Sequence, residues 1–142
     1  MDYTELAVEL LEELHSFYKI GLQKDLEESL KGEAFALQCI AEHEGEALPS
    51  EISNKMNVSS SRIAQTLNSI ENKGYVIREI DKDDRRRVLV KLTPEGRIEA
   101  EKHREKVLTA AAKILESLGE RDAKEYIRII GRLTKIAPGC EP

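Results

Sequence analysis

The sequence holds little of what disulfide, redox and zinc sites require. It has two cysteines in 142 residues, Cys39 and Cys140, and neither has a partner at CxxC or metal-ligand spacing. Cys39 lies in the apolar stretch AFALQCIA, which is typical of a small buried residue, with a redox-sensing thiol as the alternative. Cys140 lies in the tail APGCEP, which we expect to be frayed. We therefore predict no structural disulfide and no regulatory role for Cys140.

Long apolar runs are also missing. No run approaches the roughly 20 residues that a helix needs to span a bilayer. The first segment, MDYTELAVELLEELHSF, is acidic and lacks both the basic and the apolar region of a signal peptide. We therefore expect a cytoplasmic protein that does not enter a membrane.

Groups that converge for catalysis are equally scarce. The three histidines, His15, His43 and His103, fall in three separate predicted helices without HxxxH or HExxH spacing. The sequence contains no glycine-rich phosphate loop and no G-x-S-x-G motif. These absences argue against an enzyme, and they indicate no metal site and no cofactor.

Charge, by contrast, is abundant and unevenly distributed. The chain has 22 basic and 27 acidic side chains and a net charge of −5. Residues 1–58 carry 4 basic and 13 acidic side chains, whereas residues 59–97 carry 9 and 6, and residues 98–142 carry 9 and 8. An anionic partner is therefore expected to bind the middle third of the chain.

Periodicity and local signals predict a mainly α-helical chain with one β-hairpin. Apolar residues recur every three or four positions near the start, as on one face of a long amphipathic helix: Leu6, Leu10, Leu14 and Phe17. Three more helices are predicted next: one from about Glu33 to His43, a short one from Pro49, and one that is capped by Ser59 and runs through Lys73 to Gly74. Two β-like runs follow, Tyr75–Ile80 and Arg87–Leu92, joined by Asp81–Arg86. A long helix from Thr93-Pro94 to Leu118 and a last helix before Pro138 complete the prediction. The middle section, residues 33–92, matches a winged helix-turn-helix.

The helix predicted after Ser59 has one apolar and one polar face. At roughly 100° per residue, Ile63, Leu67 and Ile70 fall together. The opposite face and its flanks carry short polar groups and one cation: Ser61, Arg62, Gln65, Thr66, Asn68 and Ser69. Such a surface suits the major groove of DNA, where Arg can contact guanine and Gln or Asn can contact adenine. The amides near Ser59 and Ser60 would favour a phosphate. The alternative is an ordinary solvated helix face.

Three consecutive arginines, Arg85, Arg86 and Arg87, lie where the hairpin loop returns to its second strand. Arginine at a hairpin tip can enter the narrow minor groove, where the negative potential is strongest. Nearby carboxylates oppose this unless one of them holds an arginine in position through a bidentate pair. The alternative is a solvated charged turn whose ion pairs contribute little.

The segment DKDDRRRVLVKLTPEG resembles the wing signature of the MarR family of bacterial transcriptional regulators. That signature is approximately D-x-x-D-x-R, a strand, and L-T-x-x-G at the start of a long helix, and the matching residues are Asp81, Asp84, Arg86, Leu92, Thr93 and Gly96. The helix-turn-helix stretch SEISNKMNVSSSRIAQTLNSIENKGYV is also similar to that family's. The family often has arginine at the position of Gln65, and Arg62 could substitute for it.

The resemblance implies a homodimeric repressor of double-stranded DNA that binds a pseudo-palindromic operator. Residues 1–32 and 93–142 would supply dimerisation helices, and residues 33–92 the DNA-binding lobe. The recognition helix 59–73 would lie in the major groove and the wing 81–87 in the minor groove. Arg86 would be the minor-groove residue and Asp84 would orient it, whereas Arg85 and Arg87 would be phosphate contacts or surface.

Two questions stay open at this level. The family often binds a small-molecule effector in a cleft beside the DNA-binding lobe, which His15, Phe17, Tyr18, Cys39 and His43 could approach, although routine packing explains them equally well. The alternative function is a helical protein-interaction module that keeps the winged fold and binds another protein through its acidic first helix.

Overall fold

The computed structural model describes residues 2–21, 24, 26, 28 and 31–136, and within them the predicted order of helices and hairpin is confirmed. The elements are α1 Tyr3–Lys19, α2 Gly32–Glu42, β1 Glu46–Ala47, α3 Pro49–Met56, α4 Ser60–Asn72, β2 Val76–Ile80, β3 Val88–Leu92, α5 Pro94–Leu118 and α6 Glu120–Ile136. The fold class is mainly α with a small antiparallel sheet, as predicted. Residues 1–107 form one compact unit and residues 108–142 a second.

The sheet contains a third strand that the sequence did not predict. Its order is β1-β3-β2, and β1 is only two residues long, with Glu46 opposite Lys91 and Ala47 opposite Val90. Gly45, at φ +85°, turns the chain into this strand, and its carbonyl accepts the Leu92 N–H at 2.9 Å. A two-residue strand carries no usable period-two pattern, so periodicity could not reveal it.

The core of the first unit lies where α2, α3 and α4 pack against the sheet. The buried apolar side chains are Ala36, Leu37, Cys39, Ile40, Ala47, Ile52, Met56, Ile63, Leu67, Ile70, Val76, Val90 and Ala100. They include the predicted inward residues of the short helix and of the recognition helix. The wing is therefore attached to the core through the start of β2 and the middle of β3, and its tip extends beyond it.

The junction between the hairpin and α5 explains why this sequence has glycine at position 96. The Thr93 hydroxyl donates to the Gly74 carbonyl at 2.6 Å and accepts the Gly96 N–H at 3.1 Å. The Tyr75 carbonyl accepts the Thr93 N–H at 3.0 Å. A Cβ on Gly96 would lie 1.9 Å from that same carbonyl oxygen. Only a residue without a side chain fits where α5 passes the end of the recognition helix.

The first and last described helices keep their apolar side chains at the surface. None of the residues of α1 or α6 is buried. The exposed apolar residues of α1 are Tyr3, Leu6, Val8, Leu10, Leu11, Leu14 and Tyr18. Those of α6 are Tyr126, Ile127, Ile129, Ile130, Leu133 and Ile136. Each helix thus presents an apolar surface for a further contact.

Cys39 is fully buried in this core, as predicted, and Cys140 lies outside the described residues. Burial, and secondarily the nearby charge of Glu42, raises the pKa of the Cys39 thiol to about 11. Because the thiolate is the reactive species, such a thiol is a poor oxidant sensor.

We predict that Cys39 is unreactive in the native protein. In a Cys140→Ser background, alkylation by iodoacetamide at pH 8 should be at least about a hundredfold slower than in denaturant, because the thiol is both protonated and inaccessible. Mass spectrometry of quenched samples would measure both rates. Cys39→Ser should likewise leave the peroxide response of DNA binding unchanged. Comparable native and denatured rates, or loss of peroxide release in this variant alone, would contradict the prediction.

Candidate nucleic-acid interface

The helix-turn-helix is built by a short helix that ends abruptly. Pro49 begins α3, where the Leu48 N–H donates to the Glu51 carboxylate at 2.9 Å. Asn57 ends it in the left-handed region at φ +55°, which asparagine tolerates better than most residues. Ser59 then caps α4 by accepting the Arg62 N–H at 3.1 Å. This tight turn fixes the start of α4, whose apolar face packs in the core while its other face is exposed.

The polar face of α4 is largely exposed, as predicted. Ile63, Leu67 and Ile70 are at most 3% exposed and fix the orientation of the helix. The exposed residues on the other side are Ser60, Ser61, Arg62, Gln65 and Asn68. Thr66 is half-buried, and its hydroxyl donates to the Arg62 carbonyl at 3.0 Å.

Ser69 is half-buried, and its side chain contacts a neighbouring helix. Its hydroxyl donates to the carboxylate of Glu33, at the start of α2, and the same carboxylate accepts a bond from Lys73 at 2.5 Å. These bonds from Lys73 and Ser69 hold the pKa of Glu33 below its usual value. The Ser69 hydroxyl is therefore engaged by Glu33, and its contact with DNA stays a prediction. No local pattern indicates the bond to Glu33, because 36 residues separate the partners.

We predict that Glu33→Gln destabilises the fold near neutral pH by at most about 1 kcal/mol, since the cluster is partly solvated. A carboxyl group whose pKa is lower in the folded state than in the unfolded state stabilises the fold at pH values above its unfolded-state pKa. This stabilisation is lost as the pH falls through the folded-state pKa. The difference in unfolding free energy between wild type and variant should therefore shrink as the pH falls below 4.5, the ordinary value for Glu.

The matched control is Glu120→Gln, which breaks the solvent-exposed ion pair between Glu120 and Lys124. Glu120 and Lys124 are 80% and 75% exposed, so little effect is expected at any pH. Urea unfolding at pH 7 and at pH 3 would measure all three proteins. A Glu33→Gln effect that is the same at both pH values would show that the ionised carboxylate is not the stabilising species.

At the wing tip, Asp84 holds Arg86. The Asp84 Oδ1 accepts the Arg86 Nε–H at 3.1 Å and the Arg86 backbone N–H at 3.0 Å, while Oδ2 lies 3.4 Å from Nη2. These bonds hold the pKa of Asp84 below its usual value. The Arg86 side chain is nevertheless 91% exposed, so the guanidinium is oriented without being covered.

Asp81 and Arg87 form the base of the same loop. Asp81 is only 6% exposed; its Oδ2 accepts a bond from Arg87 Nη2 at 2.7 Å and its Oδ1 accepts the Asp83 N–H at 3.0 Å. The Asp81 N–H also donates to the Arg87 carbonyl at 2.9 Å. Arg87 therefore closes the loop, and two of the three loop carboxylates, Asp81 and Asp84, each hold an arginine. Arg85 is exposed beside them.

One residue that sequence reasoning missed joins the wing to the recognition helix. Arg78, in the middle of β2, donates from Nη2 to the Asn68 Oδ1 at 2.6 Å, and its Nε lies 3.3 Å from Glu71 Oε2. The register places Arg78 opposite the buried Val90. A signal was present, because Val76 and Arg78 share one face of a strand, and a cation on the inward face of a strand needs a partner.

The residues considered for catalysis and metal binding do not come together. His43 links Cys39 and Glu51, with Nδ1 2.9 Å from the Cys39 carbonyl and Nε2 3.6 Å from Glu51, whereas His15 is exposed on α1. Within the described part of the chain, no group of His, Cys, Asp and Glu could hold a metal ion. No described helix is long and apolar enough to cross a membrane.

The predicted effector cleft stays a prediction. Cys39 belongs to the core rather than to a surface. Two surface hollows of the first unit are lined by other residues: about 550 Å³ at the turn before α4, beside Lys31 and Arg62, and about 270 Å³ between α2 and α5, beside Arg97 and Arg104.

The chain is similar to a family of DNA-binding domains and, over most of its length, to several bacterial proteins. The winged helix DNA-binding domain family matches residues 34–110. The uncharacterized HTH-type transcriptional regulator YdgJ of Bacillus subtilis (strain 168) is 25% identical over 126 residues, which cover 88% of this chain and 77% of YdgJ. Among solved structures, a MarR family protein from Bacillus stearothermophilus is 25% identical with a TM-score of 0.68, covering 95% of this chain and 96% of that one. Streptococcus pneumoniae FabT, solved in complex with DNA, is 22% identical with a TM-score of 0.73, covering 99% and 100%.

The family match spans more than half of the chain and includes the recognition helix, the wing and the start of α5. The resemblance to MarR regulators, which was predicted from the wing motif, is confirmed by these matches. The chain belongs to the winged helix DNA-binding domain family and is a transcriptional regulator of the MarR type.

Proposed function

We propose that the protein is a homodimeric repressor that binds a pseudo-palindromic operator, with α4 in the major groove and the wing in the minor groove. The observation that supports this most is the pairing of an exposed polar helix face with an exposed arginine that a carboxylate already orients. A solvated surface turn needs no such orientation, whereas insertion of arginine into a narrow groove does.

The contacts proposed for α4 follow from exposure. Ser60 and Ser61 lie at the helix start, where free amides favour a phosphate. Arg62, Gln65 and Asn68 follow at three-residue steps on the exposed face and would face base edges. Beside them, Ser59 and Thr66 would contribute through the backbone geometry that they fix, since both hydroxyl groups already bond to the helix.

The three wing arginines are proposed to have three roles. Arg86 would enter the minor groove, held by Asp84. Arg85, which is exposed, would contact a phosphate. Arg87 would act indirectly, because its guanidinium closes the loop against the buried Asp81. This division refines the expectation that Arg85 and Arg87 are equivalent.

The homodimer is proposed from the apolar surfaces of α1 and α6. Large contiguous apolar patches are rare on monomeric proteins and mark interaction sites. A second copy of the chain would cover them, and a two-fold axis would present two recognition helices to two half-sites. FabT, which has a similar fold, was solved in complex with DNA, and this similarity supports DNA binding by the present chain.

Fluorescence anisotropy with labelled DNA from upstream of the protein's own gene tests the proposal. In competition with unrelated DNA, we expect specific binding by two chains per site. The affinity should fall on the order of a thousandfold or more between 50 and 200 mM salt, because phosphate contacts release counterions. Failure to distinguish the upstream DNA from unrelated DNA in a scan of flanking fragments would refute operator binding. Affinity without a salt slope would favour a protein partner instead.

A further inference from the structure

The side-chain amide of Asn68 is already engaged on one side. Its oxygen accepts a bond from Arg78 Nη2 at 2.6 Å, a short distance that is typical of a charge-assisted bond. The atom facing the guanidinium must be the oxygen, because a guanidinium only donates. The amino group of Asn68 therefore points away from Arg78, on a residue whose side chain is exposed.

Arg78 is itself fixed in place. Its Nε is paired with Glu71 at 3.3 Å, and its side chain is only 30% exposed. Its backbone pairs with the fully buried Val90 in the centre of the sheet. Glu71 and Asn68 lie three residues apart on α4, so one hydrogen bond and one ion pair join the same guanidinium to neighbouring turns of the recognition helix.

We infer that Arg78 sets the base preference of Asn68 and is a specificity-determining positioning residue. The inference rests on the proposed operator binding. Asparagine recognises adenine through two bonds, in which its oxygen accepts from N6 and its amino group donates to N7. Here the oxygen already accepts a charge-assisted bond from Arg78, so the N6 amino group of adenine would have to reach the remaining lone pair beside the guanidinium. The free amino group favours a base edge that only accepts: O6 or N7 of guanine, or O4 of thymine.

Selection of binding sites from a randomised operator pool tests this assignment. Wild type should prefer guanine or thymine over adenine at one position of each half-site. Arg78→Lys keeps the positive charge but loses the planar fork that spans Asn68 and Glu71. This variant should raise the ratio of adenine to guanine or thymine at that single position by roughly fivefold or more, with other positions unchanged. Arg78→Ala should shift the same position, in addition to any general loss of affinity.

Two controls separate this inference from the proposed function. Asn68→Ala should abolish the preference at that position, and adding Arg78→Lys to it should change nothing further. Melting midpoints of all variants identify loss of fold. If wild type selects an operator but Arg78→Lys leaves the position unchanged, or weakens all sites equally, the inference is wrong and the operator binding stands. If wild type selects no sequence at all, the proposed function itself fails.

Discussion

Replacing Arg86 with alanine is expected to weaken operator binding by about 1–3 kcal/mol. The guanidinium is 91% exposed and is held by Asp84, so on the proposed function it would enter a DNA groove already oriented. The variant would lose this cation and leave the negative charge of Asp84 less compensated near the DNA phosphates. Both effects weaken binding. Anisotropy titrations of wild type and variant at two salt concentrations would give the difference in binding free energy.

Arg85→Ala is the matched control, since it removes the same charge from the adjacent exposed position. If Arg85 contacts a phosphate, Arg85→Ala should lose less binding free energy than Arg86→Ala. It should also reduce the slope of log affinity against log salt concentration by about one. The loss in Arg86→Ala should persist at the higher salt, because minor-groove insertion depends on shape as well as charge. Equal effects of the two variants at both salts would mean that Arg86 contributes only charge.

Replacing Gly96 with alanine is expected to destabilise the first unit by about 3 kcal/mol or more. The new Cβ would lie 1.9 Å from the Tyr75 carbonyl oxygen and 2.8 Å from its carbon. That carbonyl cannot yield easily, because it accepts the Thr93 N–H at 3.0 Å while the Tyr75 N–H donates to Ile70 at 2.9 Å. Relief would displace either α5 or the end of the recognition helix. Chemical unfolding monitored by circular dichroism would measure the loss.

Gly131→Ala supplies the opposite expectation at a second helical glycine. A Cβ at this position in α6 would meet nothing within 4 Å. Alanine is favoured over glycine in a helix by about 1 kcal/mol, so this variant should be as stable as wild type or more so. A mild effect of Gly96→Ala, within the range of Gly131→Ala, would show that the junction is not tightly packed.

The sequence predicted the parts of the fold that depend on local signals. Ser59, Gly74 and Pro94 stand where helices begin or end because capping and proline geometry act within a few residues. The apolar positions of α4 are buried because the 3.6-residue period places them on one face. The wing-tip role of Arg86 was predicted from a family resemblance and from a possible bidentate pair with a carboxylate, which is also a contact between residues close in sequence.

What the sequence did not predict depends on contacts between distant segments. Ser69 turned out to bond with Glu33, 36 residues away, and Asn68 with Arg78 on a neighbouring strand. A helical wheel shows which side chains point away from the core, but it does not show which neighbouring residue each of them bonds to. For that reason exposure on α4 was predicted well, whereas the free donors and acceptors on it were not.

The Asp84–Arg86 pair also affects the thermodynamics of association. An unrestrained arginine has about 2 kcal/mol of rotamer entropy, which it loses when it is immobilised in a groove. In this wing two bonds to one carboxylate already restrict the side chain in the free protein. Part of that entropy is therefore lost on folding rather than on binding, so in the proposed complex the preorganised tip would bind DNA at a smaller entropic cost.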